Sequence, residues 1–224
     1  MRHGRWIALA AGLAAALALV APAGARVKSA TSDKAILQAG VLTAADVPST
    51  WTAKKQTDTG TKSYKGFAVC RQLIAAMNTA RRGPKVFSPD FSDPAPTSNA
   101  LAQDAVFVFK NVKPATQNVA AYQASNASSC LSQALTKATG GQGQTTVSPV
   151  TDLQGVGDDH VGYEASITGT TQSGQPVHVV ADVIVVRVGR VVVEFDFLNN
   201  DVRIPLGSGI VNTVVSRVRT ATGG

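Results

Sequence analysis

Residues 177–198 read VHVVADVIVVRVGRVVVEFDFL, dense in β-branched and aromatic side chains and interrupted only at Gly189-Arg190. That pattern predicts two strands joined by a two-residue reversal. The reversal also sets register: Asp182, Ile184, Val186 and Val188 should line up with Phe197, Phe195, Val193 and Val191 on one face, expected to be core. The other face brings Val183, Val185 and Arg187 beside Asp196, Glu194 and Val192. Charge and apolar surface alternate along it, so it is expected to be half covered and to form one wall of a cleft. Arg187, Glu194 and Asp196 are the candidate ligand-binding residues there. The alternative for the two carboxylates is simple exposure to water.

Other segments supply cover for this hairpin, which alone would be marginal in water. Residues 160–168 alternate, with Val161, Tyr163, Ala165 and Ile167 inward and Gly162, Glu164, Ser166 and Thr168 outward. A strand at 145–153 and a turn at 155–159 precede them, giving an antiparallel meander that ends at Leu198. Residues 105–110 (AVFVFK) predict a further strand with Val106 and Val108 opposite Phe107 and Phe109. Helical spacing appears from Ser32 to Gly40, over 67–80, from Pro114 through Tyr122, and around Cys130, Leu131 and Leu135. Over 208–220, Ile210, Val211, Val214, Val215 and Val218 form a stripe predicted to lie on the sheet. Residues 81–103 hold four prolines and no clear period, and are expected to be flexible cover or a lid. The fold class is therefore α+β: a mainly antiparallel twisted sheet with helices packed on it.

The first 25 residues look like an export address. Arg2 and Arg5 precede an Ala/Leu-rich run from Ile7 to Val20, and Ala23-Gly24-Ala25 is a small-x-small cleavage site. The expected organisation is a signal peptide at 1–25, a loose tail at 26–32 and a single domain over 33–224. An uncleaved anchor is the alternative, opposed by Pro22 and Gly24. No cysteine follows the apolar run, so lipid attachment there is not available. Export places the chain outside the cell. Of the 21 basic and 14 acidic residues, two basic ones lie in the leader, leaving a charge of +5. The basic residues are scattered and aromatics are few, which argues against a nucleic-acid groove and for weak association with an anionic cell envelope.

Cys70 and Cys130 are the only cysteines. In an oxidising compartment they are expected to form a disulfide. Neither lies in a C-x-x-C spacing or beside a histidine, so thiol catalysis and metal binding lack support.

Candidate chemistry is otherwise thin. Asp158-Asp159-His160 are adjacent and cannot easily converge on one ion, so no metal is expected. Ser208 lies in Gly-Ser-Gly, outside the nucleophile elbow, and reads as a helix cap. The Gly-rich loop at 140–143 lacks the Lys and Ser/Thr of a phosphate loop. Asn126-Ala127-Ser128 fits a glycosylation triplet by chance. No catalytic residue and no cofactor is expected.

The order Leu42-Thr43, Asp46-Val47-Pro48, Trp51, Cys70, Cys130, then Gly157-Asp158-Asp159-His160-Val161-Gly162-Tyr163 and Val186-Arg187-Val188-Gly189-Arg190 resembles an actinobacterial family of exported sensor domains. These are similar to the extracellular domain of the mycobacterial serine/threonine kinase PknH. The resemblance covers nearly all of 33–220 and its motifs are structural. It implies a sheet with helices packed on it and a cleft for an undefined extracellular ligand. One cysteine pair stands here where that domain has two disulfides, and these 224 residues contain no kinase domain.

The leading expectation is a secreted, non-enzymatic domain holding a small or envelope-derived ligand between the charged sheet face and the Pro-rich segment. One alternative is a small secreted hydrolase using His160 or His178. Another is an envelope interaction protein without a pocket, in which the Pro-rich segment packs flat.

Overall fold

The structure is a computed structural model that describes residues 31–56, 61–95, 100–138, 143–153, 155–170, 176–200 and 207–223. The expected leader, most of the tail, Ser208's side chain and the Gly140 loop, apart from Gly143, lie outside the described residues.

The valine-rich run forms β7 (Pro176–Val188) and β8 (Val191–Asn200). Gly189 takes φ +56° at the turn between them, a conformation that costs glycine nothing. Asp182, Ile184, Val186 and Val188 pair with Phe197, Phe195, Val193 and Val191, in the expected register. On one side β6 (Asp159–Thr170) and β5 (Gly143–Pro149) complete the meander. On the other, β8 pairs with β4 (Leu101–Val108), followed by β3 (Asp90–Ser92) and β1 (Thr52–Lys54). A short β2 (Lys85–Phe87) pairs with the far end of β4. All pairings among these eight strands are antiparallel.

Helices cover both faces, which is why β4, β7 and β8 alternate so weakly in polarity. The helices α1 (Asp33–Gly40) and α5 (Gly207–Thr222) pack with Val106, Ile184, Val193 and Phe195. The opposite face meets α2 (Arg71–Ala80), α3 (Val112–Gln123) and α4 (Ala127–Ala138), with Phe107, Val185 and Val192 in that core. Ser32 Oγ accepts from Ala35 N–H at the start of α1, and Asn111 Oδ1 accepts from Lys113 N–H at the start of α3. Each satisfies a donor that the first turn leaves open. Cys70, at the entry to α2, is disulfide-bonded to Cys130 on α4, with their Cα atoms 5.0 Å apart and both side chains buried.

Three expectations are corrected. Residues 81–103 are not a structureless cover: Lys85–Phe87 and Asp90–Ser92 are strands hydrogen-bonded to β4, which itself begins at Leu101. Prolines 84 and 89 sit just before these strands, where they remove no ladder donor. Gly162 does not face water. Residues after β5 fold back over it, Val150 N–H donates to its carbonyl at 2.9 Å, and a Cβ there would lie 2.6 Å from Leu153 Cδ1. Lastly, α2 starts only at Arg71, because residues 68–70 form a 3-10 turn.

Candidate functional site

The helices α2, α3 and α4 fill their face of the sheet unevenly. Over one half, Val119 and Tyr122 of α3 close down on Val185 and Val192. Over the other half the facing residues include Ala105, Ala134 and Ala181, and a cavity of about 500 Å³ remains between sheet and helices. Small side chains at facing positions leave volume that larger ones would occupy.

Strand register builds the floor. Gln103, Asp196 and Val183 lie side by side across β4, β8 and β7, with Ala105 and Glu194 in the next row. The roof is Met77 of α2 and Arg81 just after it, with Leu131, Ala134 and Leu135 of α4, and Tyr64 from the 3-10 turn Lys62–Tyr64. Phe87 of β2, Asp90 of β3 and the three residues after Ala53 complete the wall. Arg81 is steadied by its guanidinium lying 5.9 Å from the centre of the Phe107 ring.

The polar groups form a chain of donors onto carboxylates. Tyr122 Oη donates to Glu194 Oε2 at 3.0 Å, and Gln103 Nε2 donates to Asp196 Oδ2 at 3.0 Å. Burial pushes the Asp196 carboxyl above its ordinary range, while Gln103 and the positive charge of Arg81 oppose the shift. Burial raises Asp90 as well, against Lys54. The phenols of Tyr64 and Tyr122 are driven upward by burial and by the negative charge of Glu194, so both stay protonated donors at physiological pH.

Of the three candidate ligand-binding residues, Glu194 and Asp196 line this cavity and Arg187 does not. Arg187 lies four residues beyond Val183 on β7, roughly 13 Å along the strand. Its Nη1 donates to Asp158 Oδ2 at 3.3 Å and to the Gly189 carbonyl at 3.2 Å, bracing the hairpin tip. Gln56, Tyr64, Asp90 and Gln103 carried no sequence signal: β3–β4–β8 pairing brings Asp90 and Gln103 to Asp196, and Gln56 after β1 and Tyr64 in the 3-10 turn reach the cavity only through the tertiary fold.

The other candidates disperse. Asp158 accepts from Gly189 N–H, Asp159 from Gln123 Nε2, and His160 Nδ1 meets the Val156 carbonyl at 2.9 Å. Three neighbours with three separate partners do not form an ion site. His178 Nε2 is 2.8 Å from Ser166 Oγ. Neither histidine lines the cavity, whose lining among the described residues contains no serine, cysteine or histidine. Asn126 Nδ2 donates to the Val69 carbonyl at 2.8 Å, so the amide of the glycosylation triplet has a structural use.

No family model and no curated protein matches the chain. Among solved structures, the extracellular domain of PknH from Mycobacterium tuberculosis is similar, with a TM-score of 0.47 and 10% identity. The alignment covers 82% of this chain and 95% of that one.

Proposed function

We propose that this chain is an exported, non-enzymatic binding domain that holds a small or envelope-derived ligand in the cavity between the sheet and the α2–α4 roof. The observation that carries the reading is the cavity itself: about 500 Å³, lined in part by apolar side chains such as Met77, Leu131 and Val183 and in part by charged and polar ones such as Lys54, Arg81, Glu194 and Asp196. Ligand sites commonly have that size. The buried disulfide fits an oxidising compartment, as the leader-like N-terminus does. The cover differs from the one expected from sequence. Helices α2 and α4 roof the site, while the Pro-rich segment supplies wall residues through Phe87 and Asp90. That segment packs flat as strands where described, as the pocket-free alternative required, yet the cavity opens beside it.

Thermal unfolding with fractionated bacterial envelope extract tests the proposal. At least one fraction should raise the midpoint of the native protein, and Val183→Trp, which fills the floor, should abolish the shift. Ala134→Phe fills the roof and serves the same purpose should the first variant fold poorly. Absence of a shift with every fraction would remove the reading.

A further inference from the structure

The two ends of the cavity differ in chemistry. Toward β1 and β3 the lining is polar, with Lys54, Lys55, Gln56 and Asp90. Gln56 Oε1 and Asp90 Oδ1 are buried atoms with no hydrogen-bond partner among the described residues, and Asp196 stands beyond them on β8. Toward β7 and α4 the lining is apolar: Ala181, Val183, Leu131, Ala134 and Leu135. In the strand order β3-β4-β8-β7, Asp90 and Val183 lie three strand spacings apart, roughly 14 Å, with Asp196 between them on β8.

We infer that the ligand is an amphiphile whose head is a protonated amine seated against Gln56, Asp90 and Asp196, with its apolar part along β7 and α4. This rests on the cavity being the binding site. Buried acceptors without donors are costly, and an ammonium group brings three donors and no acceptor. It also offsets two carboxylates that share one end of a confined space. A carboxylate or sulfate head would bring no donor to Gln56 Oε1 or Asp90 Oδ1. A sugar would satisfy them but leave the apolar end without a matching surface. The nearby cations do not substitute for the ligand. Lys54 is exposed and lies across from Asp90 without donating to its Oδ1, and the charge of Arg81 acts on Asp196, not on Asp90.

Titration calorimetry with decylammonium, decanol and decanoate, each below its micelle concentration, tests this on the native protein and on Asp90→Asn, Asp196→Asn and Val183→Trp. Decylammonium should bind about tenfold or more tighter than decanoate, as expected of hydrogen bonds to charged groups. Asp90→Asn should weaken decylammonium about tenfold while decanol is unaffected. Asp90 lies on a short strand near the sheet edge, so that variant remains informative if Asp196→Asn unfolds. Equal or tighter binding of decanoate, or an unchanged decylammonium affinity in Asp90→Asn, overturns the amine assignment. If Val183→Trp still abolishes binding in that case, the cavity stands as the site. Binding unchanged by Val183→Trp overturns both, and no binding by any of the three probes overturns the amine assignment. Lysophosphatidylethanolamine distinguishes the sources: an aminophospholipid should bind tighter than decylammonium because its phosphate can meet Lys54 and Lys55, whereas a free amine ligand predicts the reverse.

Discussion

Both carboxylate oxygens of Asp104 stand 3.2 Å from the backbone nitrogen of Leu42, joining β4 to the chain that leaves α1. The residue is 1% exposed. Burial pushes its pKa up to about 7, against the donors Leu42 N–H and Ser88. In the unfolded chain the same group titrates near 3.8. Between those values the folded protein holds a proton that the unfolded chain has released, so stability falls as pH rises across the window and levels off above it. Asp104→Asn mimics the protonated form. Urea denaturation should show the stability difference moving in the variant's favour by a few kcal/mol between pH 4 and pH 8. A difference that does not vary with pH would contradict the raised pKa.

Arg217 of α5 clamps the turn after α1. Its Nη1 and Nη2 reach the two Asp46 oxygens at 2.9 and 3.0 Å, and its Nε and Nη2 donate to the carbonyls of Ala39 and Val41. Burial alone would raise the Asp46 pKa, but Arg217 and the two Thr43 donors outweigh it and hold the carboxyl below 3.8. The stability from this ion pair is therefore present above the unfolded value and is lost as pH falls through the lowered one. Arg217→Met should cost roughly 2–3 kcal/mol at neutral pH. In chemical denaturation the gap to the native protein should narrow below about pH 4.

Tyr122 donates to Glu194 from a side chain that is 1% exposed. Tyr122→Phe removes that donor and little else. The expected loss is about 1.5–3 kcal/mol in denaturant midpoint experiments, the range for hydrogen bonds to charged groups. A change near zero would mean that water replaces the phenol at Glu194 and that the cavity floor is wetter than its lining suggests.

The Cys70–Cys130 bond closes a loop with a sequence separation of 60. On the chain-entropy model, replacing both cysteines with alanine should cost roughly 4 kcal/mol. The bond also ties α2 to α4, the two helices of the cavity roof. Any ligand that stabilises the native protein should therefore bind the double variant more weakly, read by titration under conditions where the variant is still folded.

Much of the frame was legible because it depends on local periodicity. Alternation and the Gly189 turn predict the β7–β8 register residue by residue, and the five-residue stripe of α5 predicts its buried face. The early strands were not legible. Residues 85–87 and 90–92 are too short to show a period, and they are held by hydrogen bonds to β4 rather than by their own pattern. Gly162 misled for a related reason: in a sheet covered on both faces, the polar or small positions of a strand need not face water.

The site divides along the same line. From the sequence alone it follows that Glu194 and Asp196 share a face with Val183 and Val185, because side chains two residues apart on a strand point the same way. Arg187 shares that face too, but the face is longer than the cavity, and where α3 ends its cover cannot be deduced from strand periodicity. The placing of Gln56, Tyr64, Asp90 and Gln103 around Asp196 was decided only in three dimensions. Contacts between residues tens of positions apart depend on which strands become neighbours and where helices leave volume unfilled, and neither quantity is carried by any single segment of the chain.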